Sequence, residues 1–193
     1  TISSIVQFLP EDLGSFAREH SQIKIDLQEH LSADVLQAVH EGTADIGICN
    51  MGQANPNGLQ TRPYRTDLLV LVAPEDHPLT ERSAIGSSTS RAMRGAATRS
   101  GTALRQRIQV TSLDAMCRMI DNGLGVGLIP HRAFELMQGV GRLRSVPLTD
   151  AWAQRTLSLV ARDFDALPVT SRLLVEHLGK GWEPASSNAS NAP

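Results

Sequence analysis

An α/β fold follows from three features of this 193-residue chain. Apolar residues at helical spacing alternate with short apolar or period-two stretches, which are the signals of helices and strands. From Ser3 to Cys49 the order is helix, strand, helix, strand. Several of the helical stretches also stop at a glycine. Such alternation predicts parallel strands with right-handed crossovers in an open sheet, where ligands bind at the carboxyl ends of strands. With 41% hydrophobic residues the chain can bury a substantial core, as one large domain or two small lobes.

In the first half, Ser3 or Ser4 caps a helix with Ile5, Leu9, Leu13 and Phe16 on its inner side and Pro10 tolerated near its start. Ile23, Ile25 and Leu27 alternate with Lys24, Asp26 and Gln28, the pattern of a half-buried strand. Ser32 caps a second helix that buries Val35, Leu36 and Val39 and stops at Gly42. Residues 45–49 form a short apolar strand. Asn50 to Gly58 is a polar loop, with Asn55, Pro56, Asn57 and Gly58 as turn residues. Residues 68–73 read as a strand buried on both faces.

In the second half, Ser87, Ser88, Thr89 and Ser90 cap a helix running to about Arg99, and residues 105–110 form a strand. Thr111 and Ser112 then cap a helix whose apolar stripe is Leu113, Met116, Cys117, Ile120 and Leu124, with Asp114 in its first turn. Asn122 and Gly123 give it a left-handed stop. Gly125 to Ile129 reads as a buried strand whose missing side chains let another backbone or a ligand come close. Pro130 opens a helix to Gln138. Strands follow at 143–148 and 152–162, and Pro168 starts a last helix packed through Val169, Leu173, Leu174 and Leu178. Residues 183–193 are Ser, Asn, Ala and Pro for the most part and read as a disordered tail.

Composition narrows the function. No apolar run approaches the length of a bilayer span and no secretory signal is visible, which points to the cytoplasm and away from a membrane. Cys49 and Cys117 sit in apolar contexts without C-x-x-C spacing, so they read as buried reduced thiols. A net charge of -2 argues against this chain holding duplex DNA by itself. Arg82, Arg91, Arg94, Arg99, Arg105 and Arg107 form an acid-free stretch, either a solvated face or an attractor of anions. The six histidines occur singly, mostly at predicted surface ends of elements, and no metal motif, nucleophile elbow or S-x-x-K motif is present. Glu11 with Asp12, and Asp163 with Asp165, read as helix-start and turn residues. Gly123, Gly125 and Gly127 follow a helix and open a strand, the wrong polarity for a dinucleotide loop. The pattern therefore predicts no catalytic residue, no cofactor and no metal.

What recurs is hydroxyl residues at helix starts. Free amides and a partial positive charge at a helix N-terminus favour anions, so several converging on one cleft would select a carboxylate; each cluster could equally cap only its own helix.

VTSLDAMCRMIDNGLGVGLIP, together with GTADIGI at 42–48 and DLLVLVAPEDHPL at 67–79, resembles the effector-binding region of LysR-type bacterial transcription regulators. The three segments stand in the family's order, and the likeness covers about residues 1–178. It implies two Rossmann-like lobes of the type II periplasmic-binding-protein fold joined by two crossover strands. Lobe I would be 1–82 plus 153–182, and lobe II 86–150. The resemblance also implies a winged helix-turn-helix ahead of Thr1 that carries DNA binding, and a homodimer or tetramer. In the family, helix starts of both lobes face the interlobe cleft. Ser3, Ser4, Ser32, Ser87, Ser88, Thr111 and Ser112 thus become the expected contacts of a small organic anion that modulates DNA binding. The family places a short helix, a crossover and a strand where this sequence has only residues 81–86 between Thr80 and Ser87. Either the numbering passes over absent residues, which is the expectation, or the protein lacks them. The alternatives are a solute-binding protein of a transporter and an enzyme on similar lobes.

Overall fold

A computed structural model describes residues 7–51, 56–86, 112–137 and 140–182. Contacts divide the chain into two compact units, one of Asp67–Arg155 with Gln7, the other of Phe8–Thr66 with Thr156 onward. The helices are α1 (Leu9–Glu19), α2 (Ser32–Glu41), α3 (Leu113–Asp121), α4 (His131–Leu136) and α5 (Val169–Gly179). The strands are β1 (Gly47–Asn50), β2 (Gln60–Pro74), β3 (Gly127–Pro130), β4 (Leu143–Pro147) and β5 (Gln154–Ala161), in the order β1-β5-β2-β3 with β4 also on β2.

The unit of Asp67–Arg155 is built on the second half of β2. Val70 faces Ile129 of β3 and Pro147 of β4, and Leu71 faces Leu128 and Val146, so both edges of β2 are hydrogen-bonded. Both faces are covered as well. Val70 and Val72 pack with Cys117, Ile120, Ile129 and Phe134, while Leu71 packs with Ile85, Val146, Leu148 and Ala153. The apolar run at 68–73 is thus a central strand buried on both faces from Val70 to Ala73, while Leu68, expected to be buried with them, is 43% exposed. In α3, Ser112 accepts a capping bond from the Ala115 amide and Gly123 takes φ +75°. Leu124 ends half-exposed instead of joining the stripe. At Gly127 a Cβ would lie 2.9 Å from Ile120 Cδ1 and 3.1 Å from Met116 Sδ. The space beside β3 is therefore taken by side chains of α3, and not by another backbone or a ligand.

The other unit packs α2 on β1, and its core is Val39, Cys49, Leu59 and Val160 with Val35 and Leu36 against them. α2 stops at Gly42 with φ +79°, and the loop after β1 turns at Asn57 and Gly58, both with positive φ. β1 pairs with β5 from Gly47 opposite Val160 to Asn50 opposite Leu157. Arg65 fastens α1 and α5 to β2. Its guanidinium donates to both Asp12 oxygens at 2.8 and 2.9 Å, to the Tyr64 carbonyl at 2.9 Å and to the Leu178 carbonyl at 3.2 Å. The Leu178 carbonyl lies in the last turn of α5, where a cation also meets the negative end of the helix. Tyr64 donates its hydroxyl to Asp12 at 2.5 Å. Burial, and then Asp12, push that phenol well above its ordinary value.

Several sequence expectations are corrected. Every named ladder is antiparallel, and the one parallel pairing among the described residues is the isolated bridge between Ile85 and Leu148. β2 and β5 pass between the units and run opposite to their partners, so helix-strand alternation did not dictate parallel pairing here. Residues 23–31 have no regular secondary structure, and Leu27 is 62% exposed. Period-two alternation says which side chains share a face, but a strand also needs a neighbour to accept its hydrogen bonds. α1 begins at Leu9 with Phe8 at its N-cap and no side-chain cap. In α5, Val175 and Leu178 are buried whereas Val169 is 63% exposed. The division into units falls between Thr66 and Asp67 and between Arg155 and Thr156, within the continuous strands β2 and β5. Finally, the numbered chain passes over no gap at 80–87. A 3-10 turn at Pro78–Glu81 leads directly to Ile85, whose amide donates to Pro147 and whose carbonyl accepts from Thr149. The expected helices and strand at 87–110, and the tail at 183–193, lie outside the described residues.

Two outcomes follow. A Cβ at Gly47 would stand 2.6 Å from Val35 Cγ1 and 3.1 Å from Val39 Cγ2. Gly47→Ala is expected to force α2 off β1 and cost about 1–3 kcal/mol in urea denaturation. Burial pushes the Cys49 thiol from its ordinary 9.0 up to about 11. The folded state thus prefers the protonated thiol, and its contribution is complete below the unfolded value and lost as pH rises through the folded one. Stability should fall by on the order of 2 kcal/mol between about pH 8 and pH 11 from this group. Denaturation midpoints of wild type and Cys49→Ala across that range check it, the variant showing the smaller fall.

Candidate functional site

Of the seven residues expected to meet an anion, Ser3, Ser4, Ser87, Ser88 and Thr111 lie outside the described residues. The structure does place Ser32 and Ser112. Ser112 sits at the N-cap of α3, where its hydroxyl oxygen accepts the Ala115 amide at 3.3 Å. Its role in the fold is the capping one. Ser32 is half-buried and is the first residue of α2; Leu31 holds the N-cap position and no side chain caps that end. The sequence reading of Ser32 as the cap is corrected, since Leu31 carries the extended backbone that a cap requires.

The helix starts also carry their own carboxylates. Glu11 and Asp12 lie in the first turn of α1, Asp34 in that of α2 and Asp114 in that of α3. Each offsets part of the positive end of its helix. Asp12 is taken up by Arg65 and Tyr64, and Asp114 is bonded to Arg118 at 2.9 Å. Asp34 acts on the α2 start directly, so an anion there would rely on the uncapped amides more than on the dipole.

Three further polar residues lie on β2 and β5, and a fourth precedes α1. Asp67 of β2 and Arg155 of β5 form a buried ion pair. They are the first and last residues of the longer continuous segment of their unit. Thr66 Oγ1 is buried without a hydrogen-bond partner, and so are both polar atoms of Gln7. An unpaired buried polar group costs about 1–3 kcal/mol, which makes these groups informative. The sequence reading missed all four. Asp67 directly precedes the apolar run 68–73, Arg155 lies within the expected strand 152–162, and Gln7 is the one polar residue in the run Ile5 to Leu9.

One cluster has the residue order of a hydrolase triad. Ser15 Oγ lies 2.8 Å from His177 Nε2, and Glu19 Oε2 lies 3.4 Å from His177 Nδ1. Ser15, however, donates its hydroxyl hydrogen to the Asp12 carbonyl at 2.9 Å, so the imidazole is the donor to Oγ and not the base that would activate it. With Phe16 edge-on to the ring, the cluster joins α1 to α5. His177 is thus half-buried and engaged, against the expectation of a surface histidine. Among the described residues no group of three or more His, Cys, Asp or Glu side chains could hold a metal ion. No described helix is long and apolar enough to cross a membrane.

The family description "LysR substrate binding domain" matches residues 1–183. The chain belongs to the LysR substrate-binding domain family. Relatives of this LysR domain include the RuBisCO operon transcriptional regulator of Allochromatium vinosum, 24% identical over 83% of this chain and 58% of that protein. Another is the uncharacterized HTH-type transcriptional regulator YbhD of Escherichia coli, 23% identical over 83% of this chain and 55% of that protein. The LysR domain thus spans a little over half of each. Among solved structures, the reduced form of OxyR has a TM-score of 0.75 at 20% identity, covering 93% of this chain and 91% of that one. The CcmR regulatory domain of Synechocystis in complex with 2-PG also has a TM-score of 0.75, at 19% identity, covering 91% of each chain. At such identities the likeness concerns the fold alone, and it bears out the two-lobed α/β fold of the type II periplasmic-binding-protein kind.

The buried pair of the LysR domain gives a direct test. Asp67→Ala leaves the Arg155 guanidinium buried without its carboxylate, and is expected to cost about 3–5 kcal/mol. Replacing both by apolar residues, Asp67→Leu with Arg155→Met, should cost much less than the sum of the single changes. Additive losses in guanidinium denaturation would show that the two side chains do not act as a pair.

Proposed function

We propose that the chain is the ligand-sensing part of a LysR-type transcription regulator and that its effector is a small organic acid. The match to the LysR substrate-binding domain along residues 1–183 carries this reading. The 2-PG complex of the CcmR domain supports a small-molecule ligand on this fold. In the full protein, DNA binding falls to a winged helix-turn-helix outside this chain. The effector acts by preferring one conformation of the sensing part, and such coupling is typically about 1–3 kcal/mol, enough to reshape how paired subunits present their DNA-binding parts. We place the acid at the hydroxyl-bearing helix starts, with Ser3, Ser4, Ser32, Ser87, Ser88, Thr111 and Ser112 as its candidate contacts, and we take the working unit to be a homodimer or tetramer. The reading as a solute-binding protein of a transporter has less support, since the relatives carry the names of transcriptional regulators.

Thermal shift against a panel of mono- and dicarboxylates tests this. A site filled at about 100 times its dissociation constant stabilises the fold by about 2.7 kcal/mol. Ser32→Ala is expected to weaken the bound acid about fivefold without loss of stability, because Ser32 makes no capping bond. Ser112→Ala should cost about 1 kcal/mol of stability through the lost cap, whatever it does to binding. A panel in which no acid stabilises the protein would remove the anion from the proposal.

A further inference from the structure

Gln7 is only 2% exposed, yet neither its Oε1 nor its Nε2 has a hydrogen-bond partner. The residue stands in the apolar run Ile5-Val6-Gln7-Phe8-Leu9, where methionine would fill a similar volume without a desolvation penalty. Asp67, buried in the same unit, is already engaged by Arg155. The carboxamide therefore presents a donor and an acceptor that the fold itself does not use, and native structures leave such groups for a ligand or an ordered water.

We propose that Gln7 is a specificity-determining contact of the effector. The inference rests on the reading of the chain as a sensor of small acids, and it narrows that class to acids carrying a hydroxyl group beside the carboxylate. A carboxamide is neutral, so it does not repel an anion; it selects by hydrogen-bond pattern. Oε1 needs a hydrogen to accept, and an ionised carboxylate has none to give. A hydroxyl on the neighbouring carbon supplies it, while Nε2 donates to an oxygen of the same ligand. An unsubstituted acid would leave Oε1 as unpaired as it is without ligand, and a site built to pair a hydroxyl discriminates against the analogue lacking it.

Calorimetric titration with matched acids, L-malate against succinate and lactate against propionate, on wild type and Gln7→Met decides the matter. In wild type the hydroxy acid of a pair is expected to bind about tenfold tighter, the worth of one buried hydrogen bond. In Gln7→Met the two acids should bind within about twofold of each other, while the unliganded protein melts at the same or a higher temperature, since the apolar side chain leaves nothing unpaired. A preference kept intact by Gln7→Met, as expected if the amide binds only a water, overturns the role of Gln7 and leaves acid sensing standing. Equal binding of both acids by wild type does the same. A variant that melts lower and loses both acids alike assigns Gln7 to the fold, again against the proposal. Failure of all four acids to bind wild type overturns this inference together with the reading it rests on.

Discussion

From Val70 to Val72 the backbone of β2 is paired along both edges, to β3 on one side and to β4 on the other. Its faces are closed too, by Cys117, Ile120 and Phe134 on one and by Ile85, Val146 and Leu148 on the other. A strand so enclosed must be apolar at consecutive positions, and Val70, Leu71, Val72 and Ala73 meet that requirement. Most of the Asp67–Arg155 unit follows from it. α3 and α4 cover one face, the chain after Pro78 covers the other, and Ile85 joins through its bridge to Leu148.

The same strand begins in the other unit, where its environment is polar. Arg65 gathers Asp12, the Tyr64 carbonyl and the Leu178 carbonyl, so that one cation binds two helices to a strand. Two residues on, Asp67 meets Arg155 out of reach of water. Burying an ion pair rarely adds net stability over an apolar pair, but it penalises any register in which the partners separate. The Asp67–Arg155 pair thus ties β2 to β5 within the Asp67–Arg155 unit.

The helix starts show why a residue pattern is not yet a site. Ser112 and Ser32 are both hydroxyls at the beginning of a helix, and in sequence nothing separates them. In the fold, Ser112 spends its oxygen on the Ala115 amide whereas Ser32 caps nothing. The difference lies one residue away, in which position takes the extended backbone of the N-cap, and local composition does not decide that. Gln7 went unread for the opposite reason. One polar residue in an apolar run looks like noise until its burial and its lack of partners are known.

The sequence by itself determined the helices, the glycine stops at Gly42 and Gly123, the central place of residues 70–73, the reduced state of both thiols and the family, because these depend on local periodicity, backbone freedom and segment identity. Tertiary structure alone decided that the ladders are antiparallel, that residues 23–31 find no strand partner, that the unit boundary cuts through β2 and β5, and that Asp67 and Arg155 are buried against each other. Those outcomes depend on which distant segment supplies hydrogen bonds and counter-charge, and no spacing within one segment encodes the partner it will meet.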